Sequence, residues 1–283
     1  MAEIRLAGVS YYHGKGTPYE IKALDSIDLT IKSDIVTGII GHTGSGKSTL
    51  VELFNGILKP TEGVVYLDGV DIWEKPKEIR GVRFRVGLVM QYPEAQLFEE
   101  TIRADIAFGP KNMGLSAEEI AERVVEAARF VGLDESLLDK SPFDLSGGQK
   151  RRAAIAGIIA MRPEVLILDE PAAGLDPAGR ESVFANIMNY KKETGATVII
   201  VSHSMEDMAR YCDDIVVMSE GSVMMQGDRD TVFADAERLC EAGLDIPQIT
   251  KLMIALEKKG VAISRGIYTP EAAYEALRAL FKK

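Results

Sequence analysis

The chain has 283 residues, 46% of them hydrophobic, and a formal net charge of -10. That length suits one large domain or two modest ones with a substantial core. The acidity disfavours nucleic acid as a principal ligand, and none is expected as a partner. The opening MAEIRLAGVSYYHG lacks the apolar stretch and cleavage pattern of a secretory leader. No apolar run approaches the roughly 18 residues that a bilayer crossing needs. The expectation is a cytoplasmic chain that reaches a membrane only through partners. Cys212 and Cys240 lie far apart and match no metal spacing, so both are expected as buried thiols.

Residues 4–10 alternate weakly and 24–31 more clearly, as strands of a half-buried antiparallel sheet. A turn-rich stretch with Gly14, Gly16 and Pro18 separates them. Residues 36–40 read as a short buried strand running into a glycine loop and then a helix over 47–55. Residues 63–67 with Asp68-Gly69 read as strand and turn, and 86–90 as a second buried strand. Ser116, with Glu119 three residues on, predicts a capping box before an apolar stripe of Ile120, Val124, Ala127, Ala128 and Val131. Ser146 is expected to cap a helix reaching about Met161. Core strands follow at 165–168 and 197–202, separated by a helix over 178–193. Residues 215–218 and 222–226 make a last hairpin around Glu220-Gly221. Strand and helix alternate through the middle, which predicts an α/β domain with a parallel core, an antiparallel side sheet and a helical lobe over about 91–147. The texture changes near 229, where short helices are broken by Pro247, Gly260 and Pro270. Residues 229–283 therefore read as a small appendage to a main domain over 1–228.

The glycine loop carries the chemistry. Gly41, His42, Thr43, Gly44, Ser45, Gly46, Lys47 and Ser48 match G-x-x-x-x-G-K-[ST] between a strand and a helix. Glycines let backbone N–H groups curl around phosphate oxygens, and the helix start adds a favourable field. Lys47 is expected on the β- and γ-phosphates of ATP, Ser48 on Mg2+, and Thr49 toward the α-phosphate. The strand at 165–168 ends in Asp169 and Glu170. Two acids at a buried strand end are costly unless ions compensate. Asp169 suits a Mg2+ carboxylate, and Glu170 the group that polarises the attacking water. Gln91, after the strand at 86–90, is placed to contact both Mg2+ and that water. His203, after the strand at 197–202, is placed to sense the γ-phosphate.

With LSGGQ at 145–149, this set resembles the ATP-binding-cassette ATPases of transporters. The resemblance implies a P-loop cassette fold and two cassettes paired head to tail. Ser146, Gly147 and Gly148, within a motif completed by Gln149, would then meet the γ-phosphate of ATP held by the partner. Asp176 would lie in the loop that couples the two sites. Tyr11 or Tyr12 would stack on adenine, with Tyr12 preferred. Four segments narrow the resemblance: GTPYE at 16–20, IIGHTGSGKSTL at 39–50, QYPEAQLFEETIRADIAFGPKN at 91–112 and DLSGGQKRRAAIAGIIAM at 144–161. They resemble the second of the two ATPases of energy-coupling-factor transporters, with cobalt or nickel uptake ATPases as near neighbours.

That resemblance implies a heterodimer with a sister ATPase, at the cytoplasmic face of the cell membrane. It implies a transmembrane scaffold whose coupling helices meet residues 93–108, where acidic Glu94, Glu99, Glu100 and Asp105 would face arginines. A separate membrane subunit would capture a vitamin or transition metal, and the tail would be a dimerisation domain. Leu252, Ala255 and Leu256 have the helical spacing for internal packing or for a partner. Two departures stand out: Ala172 where the family usually has threonine, and Lys32-Ser33-Asp34 where glycine is common. Neither removes a ligand. The rival classes are a soluble cassette ATPase of DNA repair or translation and a non-hydrolysing nucleotide-gated module. The former lacks support in a single cassette without coiled-coil insertions, and Glu170 and His203 argue against the latter.

Overall fold

A computed structural model describes residues 2–263 and 266–281. The alternating segments at the front form an antiparallel sheet of β1 (Ile4–His13), β2 (Ile21–Ile31), β4 (Glu62–Leu67) and β5 (Val70–Asp71), in the order β2-β1-β4-β5. The short apolar segments form the second sheet from β3 (Val36–Gly41), β6 (Val86–Val89), β7 (Val165–Asp169), β8 (Thr197–Val201), β9 (Asp214–Ser219) and β10 (Ser222–Asp228). Its order is β10-β9-β3-β8-β7-β6, parallel from β9 to β6 with β10 antiparallel at the edge. Every residue of β3, β6, β7 and β8 is buried. A parallel sheet covered on both faces explains why these strands read as continuous apolar runs rather than alternating ones.

Helices cover that sheet. α1 (Lys47–Phe54) and α2 (Ile79–Arg85) lie between β3 and β6 in sequence, and α3 (Ile102–Asn112), α4 (Ala117–Phe130) and α5 (Gly147–Ile159) form the helical lobe. α6 (Pro177–Thr194) and α7 (Met205–Tyr211) connect β7, β8 and β9. Local chemistry sets their ends. α6 starts with Asp176 accepting from the Gly179 N–H at 2.6 Å and with Pro177 at its first position, and stops at Gly195 with φ 69°. At α4, Ser116 accepts from the Glu119 N–H, but the Glu119 carboxylate turns to Arg123 at 2.8 Å. Only half of the expected capping box forms, because a cation one turn on competes for the glutamate. The turn at 32–34 needs no glycine, since Asp34 itself adopts φ 59°.

One core cluster lies between the parallel sheet and the helical lobe, with Phe130 edge-on to Tyr190 and Phe184 stacked on Tyr211. The second joins the other face to α1 and the antiparallel sheet through Leu50, Leu53 and Phe54, each worth roughly 1.5–3 kcal/mol of burial. After β10 come α8 (Arg229–Ala234), α9 (Ala236–Glu241), α10 (Gln248–Lys258) and α11 (Pro270–Phe281). Val232, Phe233, Leu239, Leu244 and Ile246 belong to the first core cluster, whereas Met253, Ile267 and Ala273 form a small one of their own. The change of texture at 229 thus precedes the change of packing. Leu256 packs toward the small cluster, and Leu252 is exposed. Cys212 is buried as expected, but Cys240 is exposed. On α9 the buried position goes to its neighbour Leu239, which leaves Cys240 outward.

Candidate nucleotide site

The carboxyl ends of β3, β7 and β8 deliver the site, as parallel sheets commonly do. β3 ends at Gly41, and no other residue fits there. A Cβ would come within 2.4 Å of the Ser45 Oγ and 2.5 Å of the Met218 carbonyl oxygen. At the start of α1, Gly46 has φ 98°, and a Cβ would lie 2.7 Å from the Ala23 carbonyl oxygen. Between them Thr43 and Gly44 are exposed, while the Ser45 hydroxyl is buried without a hydrogen-bond partner. The His42 Nδ1 lies 2.9 Å from the Thr43 carbonyl oxygen. Lys47 is only 8% exposed and folds back into the loop. Its ammonium donates to the carbonyls of Gly41 at 2.7 Å and His42 at 3.0 Å. Burial lowers the Lys47 pKa, opposed by the charges of Glu170 and Asp169.

The Ser48 hydroxyl donates to Asp169 at 3.1 Å, joining the loop to the end of β7. Burial raises the Asp169 pKa, opposed by this hydrogen bond and by Lys47. Glu170 follows in the left-handed region, φ 51°, a conformation uncommon outside glycine and a store of strain at a site. The turn aims its carboxylate across to the end of β8. There Oε1 lies 3.3 Å from His203 Nε2, and Oε2 accepts from the Ser202 hydroxyl at 3.5 Å. Oε1 lacks hydrogen-bond geometry to any described partner. Burial pushes the Glu170 carboxyl up, with His203 opposing and Asp169 reinforcing. Gln91 reaches the same sheet edge from β6, exposed and followed by Tyr92 at φ 55°.

This arrangement fits MgATP. Among the described residues, no group of three His, Cys, Asp or Glu side chains is placed to hold a metal. Mg2+ usually keeps waters and binds through one or two carboxylates plus substrate phosphates. The Ser48–Asp169 pair beside a phosphate loop supplies that partial set.

At the other end of the molecule's chemistry, Ser146 caps α5 in a full capping box. Its Oγ accepts from the Gln149 N–H at 3.3 Å, and the Gln149 side chain accepts from the Ser146 N–H at 2.8 Å. Gln149 is thus occupied as a cap. A Cβ on Gly147 or Gly148 would meet nothing within 4 Å, so this helix start is open to an approaching anion. Among the described residues, no hydrogen bond joins 146–149 to the chain's own loop at 41–49.

The aromatic candidates separate by face. Tyr11 packs against the second core cluster. Tyr12 lies between Lys15 and Lys22, whose ammonium nitrogens sit 5.4 and 5.5 Å from its ring centre. The pairing steps from Tyr11↔Leu24 to Tyr12↔Lys22, so the extra residue is on β2 and β1 keeps its alternation. His13 therefore shares the Tyr11 face. Its ring is edge-on to Tyr11 at 5.0 Å, and its Nε2 lies 3.4 Å from the Thr49 Oγ1. Sequence reasoning passed over His13 because it read the strand as ending at residue 10. Period-two counting from buried Val9 through Tyr11 is the signal that finds it.

Known proteins resemble this chain over most of its length. The ABC transporter family profile matches residues 24–173. An energy-coupling factor transporter ATP-binding protein, EcfA2, of Caldanaerobacter subterraneus subsp. tengcongensis is 52% identical over 272 residues, covering 96% of this chain and 95% of that protein. The solved structure of cbiO1 from Clostridium perfringens, part of the ABC transporter complex cbiONQ, aligns with TM-score 0.74 and 42% identity over 88% of this chain and 98% of that one. A dimeric ATP-binding cassette bound to ADP and Pi aligns with TM-score 0.72 and 29% identity, over 80% of this chain and 98% of that one. A glycine loop closed over a buried lysine, two acids at the neighbouring strand end and near full-length likeness to such ATPases lead to one conclusion: the chain belongs to the EcfA2-type ATPases of energy-coupling-factor transporters, which hydrolyse ATP to drive membrane transport.

Proposed function

We propose that this chain is one half of an ATPase pair in an importer for a vitamin or a transition metal, working with a sister ATPase at the cytoplasmic face of the membrane. The observation that carries the docking half of this reading is an open groove of about 590 Å³ between the parallel sheet and the helical lobe. Its lining includes Leu97, Phe98, Phe108, Ala153 and Ile158, with Arg80 at its rim. Phe98 and Phe108 meet edge to face at 5.0 Å, yet are 64% and 45% exposed. An exposed aromatic pair in a groove suits the apolar face of a helix from a membrane subunit. The acids are sorted differently from the sequence expectation. Glu94 is held by Arg151, and Asp105 accepts the N–H groups of Phe98 and Glu99. Glu99 and Glu100 are left to meet a partner's arginines. Phe98→Arg is expected to abolish co-purification with the membrane subunits while ATP binding by the isolated chain persists. Full assembly of that variant would defeat the groove reading.

In the reaction, Lys47 leaves the carbonyls of Gly41 and His42 to bind the β- and γ-phosphates, and Ser48 and Asp169 hold the metal side. Bound Mg2+ would neutralise charge between the phosphates. Glu170 takes the proton of the attacking water, with Gln91 and His203 orienting water and γ-phosphate. Ser146, Gly147 and Gly148 serve the partner's ATP, and Asp176 lies at the contact between sites.

The base is faced by His13, in place of Tyr12. Stacking on an aromatic is worth roughly 1–3 kcal/mol per base, so His13→Ala is expected to raise the ATP KM about tenfold with kcat little changed. His13→Tyr should restore it. The same rise in Tyr12→Ala, with none in His13→Ala, would return the role to Tyr12.

A further inference from the structure

Arg151 lies in α5, the helix whose start presents Ser146. Its side chain is 5% exposed. Nε and Nη2 donate to the two oxygens of Glu94 at 3.1 and 3.0 Å, a forked pair. Nη1 donates to the Ala173 carbonyl and lies 3.5 Å from that of Pro171. Glu94 sits three residues past Gln91, in the 3-10 turn Pro93–Gln96, and Gln96 and Leu97 at the end of that turn line the groove. Residues 171–173 are the turn that follows Glu170. One guanidinium thus ties two segments to the helix that carries it, three pieces with different tasks. The first touches the groove, the second carries the water-activating carboxylate, and the third presents a serine to the other cassette's ATP.

The chemistry makes this link stiff. A buried charge is tolerated only while its donors and acceptors are met, so separating any one segment strands a charge or a carbonyl. Only arginine has donors on several edges of one plane; lysine offers a point charge. We propose that Arg151 is the positioning residue that couples the groove to both ATP sites. Displacement at Leu97 is passed through Glu94 to the turn behind Glu170 and to the start of α5 together. The proposal rests on the groove being the docking face.

The test uses the complete transporter, reconstituted with its sister ATPase and membrane subunits. Arg151→Met is expected to lower kcat for ATP about tenfold with KM within roughly threefold, and to reduce cargo moved per ATP. Arg151→Lys should recover turnover in part without recovering cargo per ATP. Glu94→Gln should reproduce the defect, and the double variant should be no worse than the single ones, since both break one link. KM rising in step with the loss of kcat, additive losses, or unchanged cargo per ATP would each overturn the proposal. So would failure of Arg151→Lys to assemble, because the clamp would then only shape the groove. If Arg151→Met does not fold, Arg151→Lys and Glu94→Gln carry the same readouts. Assembly of Phe98→Arg defeats the groove reading separately, whatever the Arg151 variants do.

Discussion

Glu170→Gln is expected to lower ATP turnover by about 10²–10⁴-fold, the range for removing a positioned general base, while ATP binding persists. The carboxylate has no hydrogen bond to Lys47 and holds no element of the phosphate loop in place. Its contacts are to His203 and Ser202, at the end of β8. Burial raises its pKa, which makes it a better proton acceptor than an exposed glutamate. An amide of the same shape keeps those contacts and cannot take the proton. ATP should therefore remain bound, and cassette pairs should accumulate in the ATP-closed state. Single-turnover kinetics and sedimentation with MgATP measure both. Turnover within about threefold of wild type would remove Glu170 from the role of base.

Lys47→Met is expected to weaken ATP binding by roughly 10–150-fold, since hydrogen bonds to charged groups contribute about 1.5–3 kcal/mol each. The fold should survive. Lys47 spends its charge on two backbone carbonyls in a buried setting, and burial of an ammonium is unfavourable. Methionine fills the same space without that cost but leaves the two carbonyls without their donor, so the opposing effects should keep the melting temperature of the nucleotide-free chain near that of wild type. What should vanish is the further rise that saturating ATP produces through mass action. Thermal unfolding with and without nucleotide separates the two effects. A variant that keeps the full ATP-dependent rise would show that the loop binds phosphate without its lysine.

The contiguous parts of this protein were legible in the chain. The phosphate loop needs glycines at 41 and 46 and a lysine at 47 within one strand-loop-helix unit, so spacing alone specifies it. Asp169 and Glu170 stood out for a related reason, as two adjacent acids at the end of a buried strand, and the structure sets them beside Ser48 and His203. Ser146 was legible as the cap of its helix, and the structure completes it into a full capping box with Gln149. Ser116 and Glu119 show the same pattern, but Arg123 takes the glutamate, a contest that spacing does not reveal. Cys240 was placed inside on residue type, and helix phase put it outside.

What only the tertiary structure decided involves residues distant in the chain. Glu94, expected to face a partner's arginine, instead meets Arg151 across 57 positions and forms a buried clamp within the chain. β1 runs on past residue 10 and keeps its alternation because the extra residues opposite Tyr11 and Tyr12 lie on β2, and this sets His13 rather than Tyr12 beside Thr49. Short-range chemistry is written where its residues are adjacent, because backbone geometry alone brings them together. Side-chain partners across sheets and lobes are chosen by packing, and packing is a property of the folded whole.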